Sequence, residues 1–211
     1  MAGTRTGVAA GIALFVLASL TACKVPTASG GGDSTAPLPS DSTAQLAALT
    51  IATAGPMTGY SRDRFGGDWI KQPDGCDTRV DVLKAQGKDV QSKGCTVNSG
   101  KWLSLYDAQN VTSPHDLDID HLVPEAEAWR TGAAKWTQDQ RVAFANDLDE
   151  LVAVTAHSNR SKGDQPPPGY MPAQAEWCDY ATHWIKVKSK YQLSTSQTEK
   201  DALTKMLATC H

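Results

Sequence analysis

No excess of positive charge runs through this 211-residue sequence: 20 Lys and Arg stand against 23 Asp and Glu, a formal charge of −3. A nucleic-acid binder held by bulk positive charge is thereby excluded, and any phosphate-binding surface must be local. Aromatic residues reach only 7% and hydrophobic residues 40%, with part of the apolar content spent in the first 22 positions. No apolar run attains the ~20 residues of a membrane span, which excludes a multi-span membrane protein. The sequence also lacks an internal repeat, a Gly-X-Y period and heptads, so collagen and a long coiled coil are excluded. No Cys-x-x-Cys pair occurs and no His lies at ligand spacing to a cysteine pair, which leaves structural zinc without support. The length leaves room for one domain.

The chain begins with an address. Arg5 precedes an uncharged stretch from Thr6 to Ala22, and small residues close it, which is the pattern of a signal peptide over residues 1–22. Leu20-Thr21-Ala22-Cys23 resembles a bacterial lipobox, in which the cysteine is diacylated and becomes the mature N-terminus. An ordinary secretory signal with a free cysteine nearby is the alternative. A lipidated Cys23 would tether an otherwise soluble protein to a membrane. Residues 23–44 are dominated by Pro, Ser, Thr, Gly and Asp and read as a flexible linker. Residues 45–211 then form the domain.

Export gives the other cysteines meaning. Cys76, Cys95, Cys178 and Cys210 are even in number, and an oxidising compartment predicts two disulfides with three pairings open. Proximity along the chain favours Cys76 with Cys95 and Cys178 with Cys210.

Within the domain, Ala44–Ala54 reads as a short helix stopped by Gly55-Pro56, and Cys76–Gln86 as a second helix ended by Gly87. Cys95–Tyr106 alternates around a turn signal at Asn98-Ser99-Gly100, which predicts a hairpin. Leu117–Val123 alternates as a half-buried strand should, and Glu150–Val154 is a second strand. Thr137–Asp147 reads as a helix with Thr137 and Gln140 as a capping box. A turn and a short helix follow the second strand, then a Pro-rich loop over Gln165–Pro172. Two helices close the chain. Trp177, Tyr180, Ala181 and Trp184 share a face of the first; Leu203, Met206, Leu207 and Cys210 do so in the second, behind a Ser196…Glu199 capping box.

An unusual set of residues lies between Asp118 and Gly163. Asp120 and His121 sit side by side at the end of the first strand, and Asn159-Arg160-Ser161-Lys162-Gly163 follows the second. A carboxylate and an amide oxygen are hard donors suited to Mg²⁺ or a similar ion. A neutral, unligated His beside them can take a proton from an attacking water. Arg160 and Lys162 supply cations where phosphates would lie, and Arg79 and Arg130 are further candidates for that contact. Asp118 shares a strand face with Asp120 and is either a member of the site or a solvated acid. His157 reads as a turn residue, and Lys186 and Lys190 as a solvated helix face. Trp102, Trp129, Trp136, Trp177 and Trp184 read as core.

The pattern D-x-D-H-x-V-P…N-D-L…L-V-A-V…N-R-S-K-G-D resembles the HNH, or ββα-metal, nucleases. It is most similar to the group that supplies the C-terminal domain of GmrSD-type restriction enzymes. The flanking G-C-D-T-R-x-x-V-L, A-W-R-T-G-A and F-A-N-D-L stretches extend the resemblance from about Tyr60 to the C-terminus. It implies an α+β fold: a ββα-metal core over residues 115–165, with helices added before and after. It implies His121 as general base, Asp120 and Asn159 as metal ligands, and Asn146 as a non-catalytic brace for the loop between the strands. The last motif position carries Asn where the name-giving family has His, which favours an oxygen-ligated ion, Mg²⁺ or Mn²⁺, over zinc. The expected activity is hydrolysis of phosphodiester bonds of DNA, with RNA as a second substrate, outside the cytoplasm. A catalytically silent cell-surface binding lipoprotein of the same fold is the alternative, and a zinc-dependent hydrolase of another class is a further rival.

Overall fold

The computed structural model describes residues 40–211. The signal peptide expected over residues 1–22, the lipidation expected at Cys23 and most of the expected linker therefore lie outside the described residues. Among those described are seven α-helices and two small antiparallel sheets, a mixed α+β architecture.

Helix α1 spans Ser40–Ala48 and packs through Leu46 on two helices from the far end of the chain, α6 (Trp177–Lys190) and α7 (Gln197–Leu207). Against the helix expected over Ala44–Ala54, helix is already present at Ser40, and Leu46 and Leu49 enter the core. The expected helix over Ala44–Ala54 ends early as well. Past Ala48 the chain is extended, and Ile51 bridges Thr195.

Helix α2 (Thr78–Gln86) is capped by Asp77, whose carboxylate accepts from the Val80 amide. Strands β1 (Lys88–Lys93), β2 (Thr96–Leu103) and β3 (Asn110–Val111) follow as one sheet. The hairpin turn falls at Gly94-Cys95 and not at Asn98-Ser99-Gly100. Gly94 takes the left-handed φ of +58° that a tight turn needs. Gly100 is a strand residue whose missing side chain makes room for the Trp102 ring: a Cβ there would meet the indole Cζ2 at 2.8 Å. Trp102 is buried and donates through Nε1 to the Leu83 carbonyl at 2.9 Å.

The second sheet pairs β4 (Leu117–His121) with β5 (Leu151–Thr155), with Asp120 opposite Val152 and His121 opposite Leu151. The period of two sends Leu117 and Ile119 to one face, where they meet Val82, Leu83, Trp102, Leu151 and Ala153 in a small core. Val152 and Val154 point the other way, into the main core with Tyr180, Trp184 and Leu203. Strand β5 is buried on both faces, which is why it reads as an unbroken apolar run. The same alternation carries Asp118 and Asp120 together toward helix α5 (Ala156–Lys162), which starts directly from β5 and packs on both strands.

Two helices lie between these strands. Helix α3 (Glu125–Thr131), entered through Pro124, has no counterpart among the helices expected from the sequence. Helix α4 (Gln138–Ala145) carries the Thr137–Gln140 capping box, and α7 the Ser196–Glu199 one. Buried Arg141 donates from α4 to the carbonyls of Arg64 and Ala133, fixing the short 3₁₀ turn Arg62–Phe65 against it. Lys188 of α6 is 0% exposed and lies 3.0 Å from Glu127 and 2.7 Å from Glu199, joining α3, α6 and α7 through one buried ammonium.

Both disulfides form in the favoured pairing, Cys76–Cys95 and Cys178–Cys210. The first closes the α2 entry onto the hairpin turn; the second joins the start of α6 to the C-terminus. Each is worth ~2–4 kcal/mol. Replacing Cys178 and Cys210 together with Ser should therefore lower the melting temperature by on the order of 10 °C in calorimetry. An unchanged melting temperature would show that the bridge adds nothing to stability.

Candidate active site

A cavity of about 430 Å³ opens where β4, α3, α5, the end of α4 and the Tyr60–Trp69 segment meet. Asp120, His121, Asn146, Asn159 and Arg160 all line it, so residues distant in the chain converge as the sequence suggested.

Asp120 comes from the α5-facing side of β4. Its Oδ2 accepts from the Tyr106 hydroxyl at 2.7 Å and from the Lys162 ammonium at 2.7 Å. Its Oδ1 has no hydrogen-bond partner among the described residues. Asn159 shows the same division. Its Nδ2 donates to Asp118 Oδ2 at 3.0 Å, and its Oδ1 has no partner among the described residues. Asp118 is half-buried and does not line the cavity; it holds the amide that does.

His121 ends the strand. Its Nε2 lies 3.0 Å from the Ala145 carbonyl, one of the carbonyls left over at the C-terminus of α4. A carbonyl only accepts, so Nε2 carries the proton and Nδ1 keeps its lone pair. The ring stacks on Phe144, 6.2 Å between centroids and 9° between planes, and Trp69 also packs on it, 5.7 Å between centroids. Burial pushes the imidazole down to about 4, against the opposing charge of Asp120, so the ring is neutral at physiological pH.

Asn146 spends its side chain on structure. Its Oδ1 accepts from the Thr78 hydroxyl at 2.7 Å and the Ile70 amide at 3.1 Å, and its Nδ2 donates to the Val142 carbonyl at 3.0 Å. It ties the end of α4 to the segment that bears Trp69.

The four basic residues expected at phosphates divide. Arg160 is exposed, lines the cavity and has no partner among the described residues. Lys162 is a correction: it is 0% exposed, and its ammonium is committed to Asp120 and to the His121 carbonyl at 2.9 Å. It cannot meet a substrate phosphate. Arg79 lies away from the cavity and donates to the carbonyls of Pro114 and Leu117, both at 2.9 Å. Arg130 is paired with Glu127 and Asp164 at 3.2 Å each and does not line the cavity. Lys186 and Lys190 are occupied by Asp149.

Sequence reasoning missed Tyr60, Arg62, Trp69 and Glu125. The first three come from a loop far upstream, and no spacing rule connects them to the motif. Glu125 was within reach, since it opens the helix after Pro124 four positions past His121. Its carboxylate lies 3.7 Å from His121 Nε2, and burial raises it to about 7, with Arg62 opposing and Asp120 adding.

Two free oxygens, Asp120 Oδ1 and Asn159 Oδ1, are the donors a hard divalent cation would take, and their chemistry fits Mg²⁺ or Mn²⁺. The cluster of Asp74, Cys76 and Asp81 does not compete: the Cys76 sulfur is locked in a disulfide and Asp74 is paired with Lys84 at 3.2 Å.

The family model described as GmrSD restriction endonucleases, C-terminal domain, matches residues 77–206. A relative from Arthroderma benhamiae, described as an uncharacterized secreted protein, is 50% identical over 179 residues, covering 82% of this chain and 87% of its own. No solved structure matches. The matched segment holds Asp120, His121, Asn146 and Asn159 alike, and the chain belongs to the family of the C-terminal domain of GmrSD restriction endonucleases.

Proposed function

We propose that the protein is a metal-dependent endonuclease of HNH type that hydrolyses phosphodiester bonds of DNA, and of RNA as a second substrate, outside the cytoplasm. In this reading β4, β5 and α5 are the ββα-metal core. The observation that carries it is the pair of unpartnered oxygens, on Asp120 and Asn159, in one cavity with a neutral histidine whose Nδ1 is free. Family membership supports nucleic acid as the substrate class. The secreted relative and two disulfides support an extracellular location. Acylation of Cys23 would add a membrane tether to it.

Asp120 and Asn159 would hold the cation, which supplies stabilisation of charge on the phosphate and on the departing oxygen. His121 Nδ1 takes a proton from the attacking water, while Nε2 stays bound to the Ala145 carbonyl and fixes the ring plane. Arg160 and Arg62, which both line the cavity, meet the phosphates flanking the one attacked.

These roles separate in mutants. His121→Ala should cut plasmid cleavage by ~10²–10⁴ while leaving Mn²⁺ and DNA binding in place, because the imidazole moves a proton and holds no ion. Asp120→Ala and Asn159→Ala should instead weaken cation affinity, with activity partly recovered at high Mn²⁺. Cleavage by a His121 variant at the wild-type rate would end the assignment. On the anchor, Cys23→Ser should release the protein into the medium or block processing; a normally processed, membrane-bound variant would rule out lipidation.

Two of the shifted groups in the cavity, His121 and Glu125, predict opposite effects of pH on the stability of the metal-free protein. His121 titrates near 6.5 when unfolded and near 4 when folded, so its contribution is whole above 6.5 and is lost as pH falls toward 4. Glu125 runs the other way: from 4.5 unfolded to about 7 folded, its contribution is whole at low pH and is lost as pH rises through 7. Glu125→Gln should therefore raise the melting temperature at about pH 8 and leave it unchanged at about pH 4. An equal gain at both pH values would mean that the Glu125 charge is not the cause.

A further inference from the structure

The two ends of an asparagine side chain are nearly identical in shape and opposite in chemistry. Only the oxygen can bind a cation; a flipped amide would present an NH₂ group to it. Something must choose, and the cavity wall itself offers no donor or acceptor to Asn159 Oδ1 among the described residues. The choice is made behind the residue. Asp118 places a carboxylate oxygen 3.0 Å from Asn159 Nδ2, and a carboxylate only accepts, so the nitrogen must face it and the oxygen must face away.

The register makes this a built arrangement. Asp118 and Asp120 are two apart on one face of β4, and Asn159 and Lys162 are three apart on one face of α5. The helix lies on the strand in two rungs, Asn159 to Asp118 and Lys162 to Asp120. Each rung ties up one polar atom of a cavity residue and leaves its oxygen free.

We propose that Asp118 is a positioning residue that orients the Asn159 amide oxygen for the cation and so sets the affinity of the site. This rests on the reading of Asp120 and Asn159 as cation ligands. Asp118 touches neither cation nor substrate. Outer-shell partners of this kind typically change metal affinity by ~10–100-fold.

The test uses the intact protein and Mn²⁺, with binding read by the loss of the free-ion paramagnetic signal and folding by circular dichroism and melting temperature. Asp118→Ala should weaken Mn²⁺ binding by ~10–100-fold, with cleavage at saturating Mn²⁺ within a few-fold of wild type. Asp118→Asn retains an oxygen that can accept from Nδ2 and should recover most of the affinity although its charge is gone. Asn159→Asp offers oxygen at both ends, so adding Asp118→Ala to it should cost no further affinity. Equal losses in Asp118→Asn and Asp118→Ala would overturn the orienting role. So would an Asp118→Ala loss that is the same with and without the Asn159→Asp substitution. Wild-type protein that binds no Mn²⁺ would overturn the ligand assignment and this proposal with it. Wild-type binding unaffected by Asp118→Ala would overturn this proposal alone.

Discussion

The ammonium of Lys162 has no contact with solvent, and the arrangement around it follows from what a buried charge requires. It must have a counter-charge and full hydrogen bonding, and it obtains them from Asp120 at 2.7 Å and the His121 carbonyl at 2.9 Å, with the Tyr106 ring 5.3 Å below. Removing one member of such a pair costs ~3–5 kcal/mol, because the other charge remains buried. This interaction fixes the last turn of α5 against the last two residues of β4. It therefore determines where Asn159, one turn back, can lie. It also takes Oδ2 of Asp120 out of play and leaves a single oxygen facing the cavity. Glu150, buried beneath the site, responds to the same environment: burial drives its carboxyl well above the carboxylate range, with Lys162 opposing.

Much of this is legible in the sequence, for physical reasons that can be named. The alternation L-D-I-D-H dictates that Asp118 and Asp120 share a face, and β4 obeys it to the residue. The two capping boxes occur where Ser or Thr stands three before Glu or Gln, because that spacing satisfies orphan amides locally and needs no tertiary help. The cysteines pair with their neighbours in sequence. Lys162 misleads because N-R-S-K-G has the same composition whether its lysine is solvated or buried, and only the docking of α5 on β4 decides. The hairpin turn misleads because Asn98-Ser99-Gly100 is as good a turn signal as Gly94; the Trp102 ring over Gly100 is a tertiary fact. Arg62 and Trp69 reach the cavity through Arg141 and Asn146, which anchor their loop by side-chain bonds to backbone that leave no periodic trace.

Buried charge serves two separate purposes in this molecule. Lys188, between Glu127 and Glu199, lies among helices α3, α6 and α7 and does not line the cavity of the candidate site. Trp184 adds its indole N–H to Glu199 at 2.7 Å, so the cluster is closed on itself and orients nothing toward an opening. The Lys162 cluster is open on one side, and the open side carries oxygens. The two have the same electrostatic ingredients. What separates a structural ion cluster from a candidate site here is whether every acceptor is used.

That distinction bears on how an anion could enter a cavity lined by Asp68, Asp120, Glu125 and Asp164. Two of these acids are already answered, Asp120 by Lys162 and Asp164 by Arg130. Asp68 and Glu125 share the lining with Arg62 and Arg160, two acids against two bases, which leaves the cavity close to neutral. The burial that raises Glu125 to about 7 lowers its charge further around neutral pH. On a chain whose formal charge is −3, no long-range field draws a polyanion in. If the proposed function holds, attraction for a phosphodiester is generated at the site, by a divalent cation on Asp120 and Asn159 and by the exposed Arg62 and Arg160. Under the proposed function the cation has a second task besides its chemistry: its charge turns a neutral recess into one that holds phosphate.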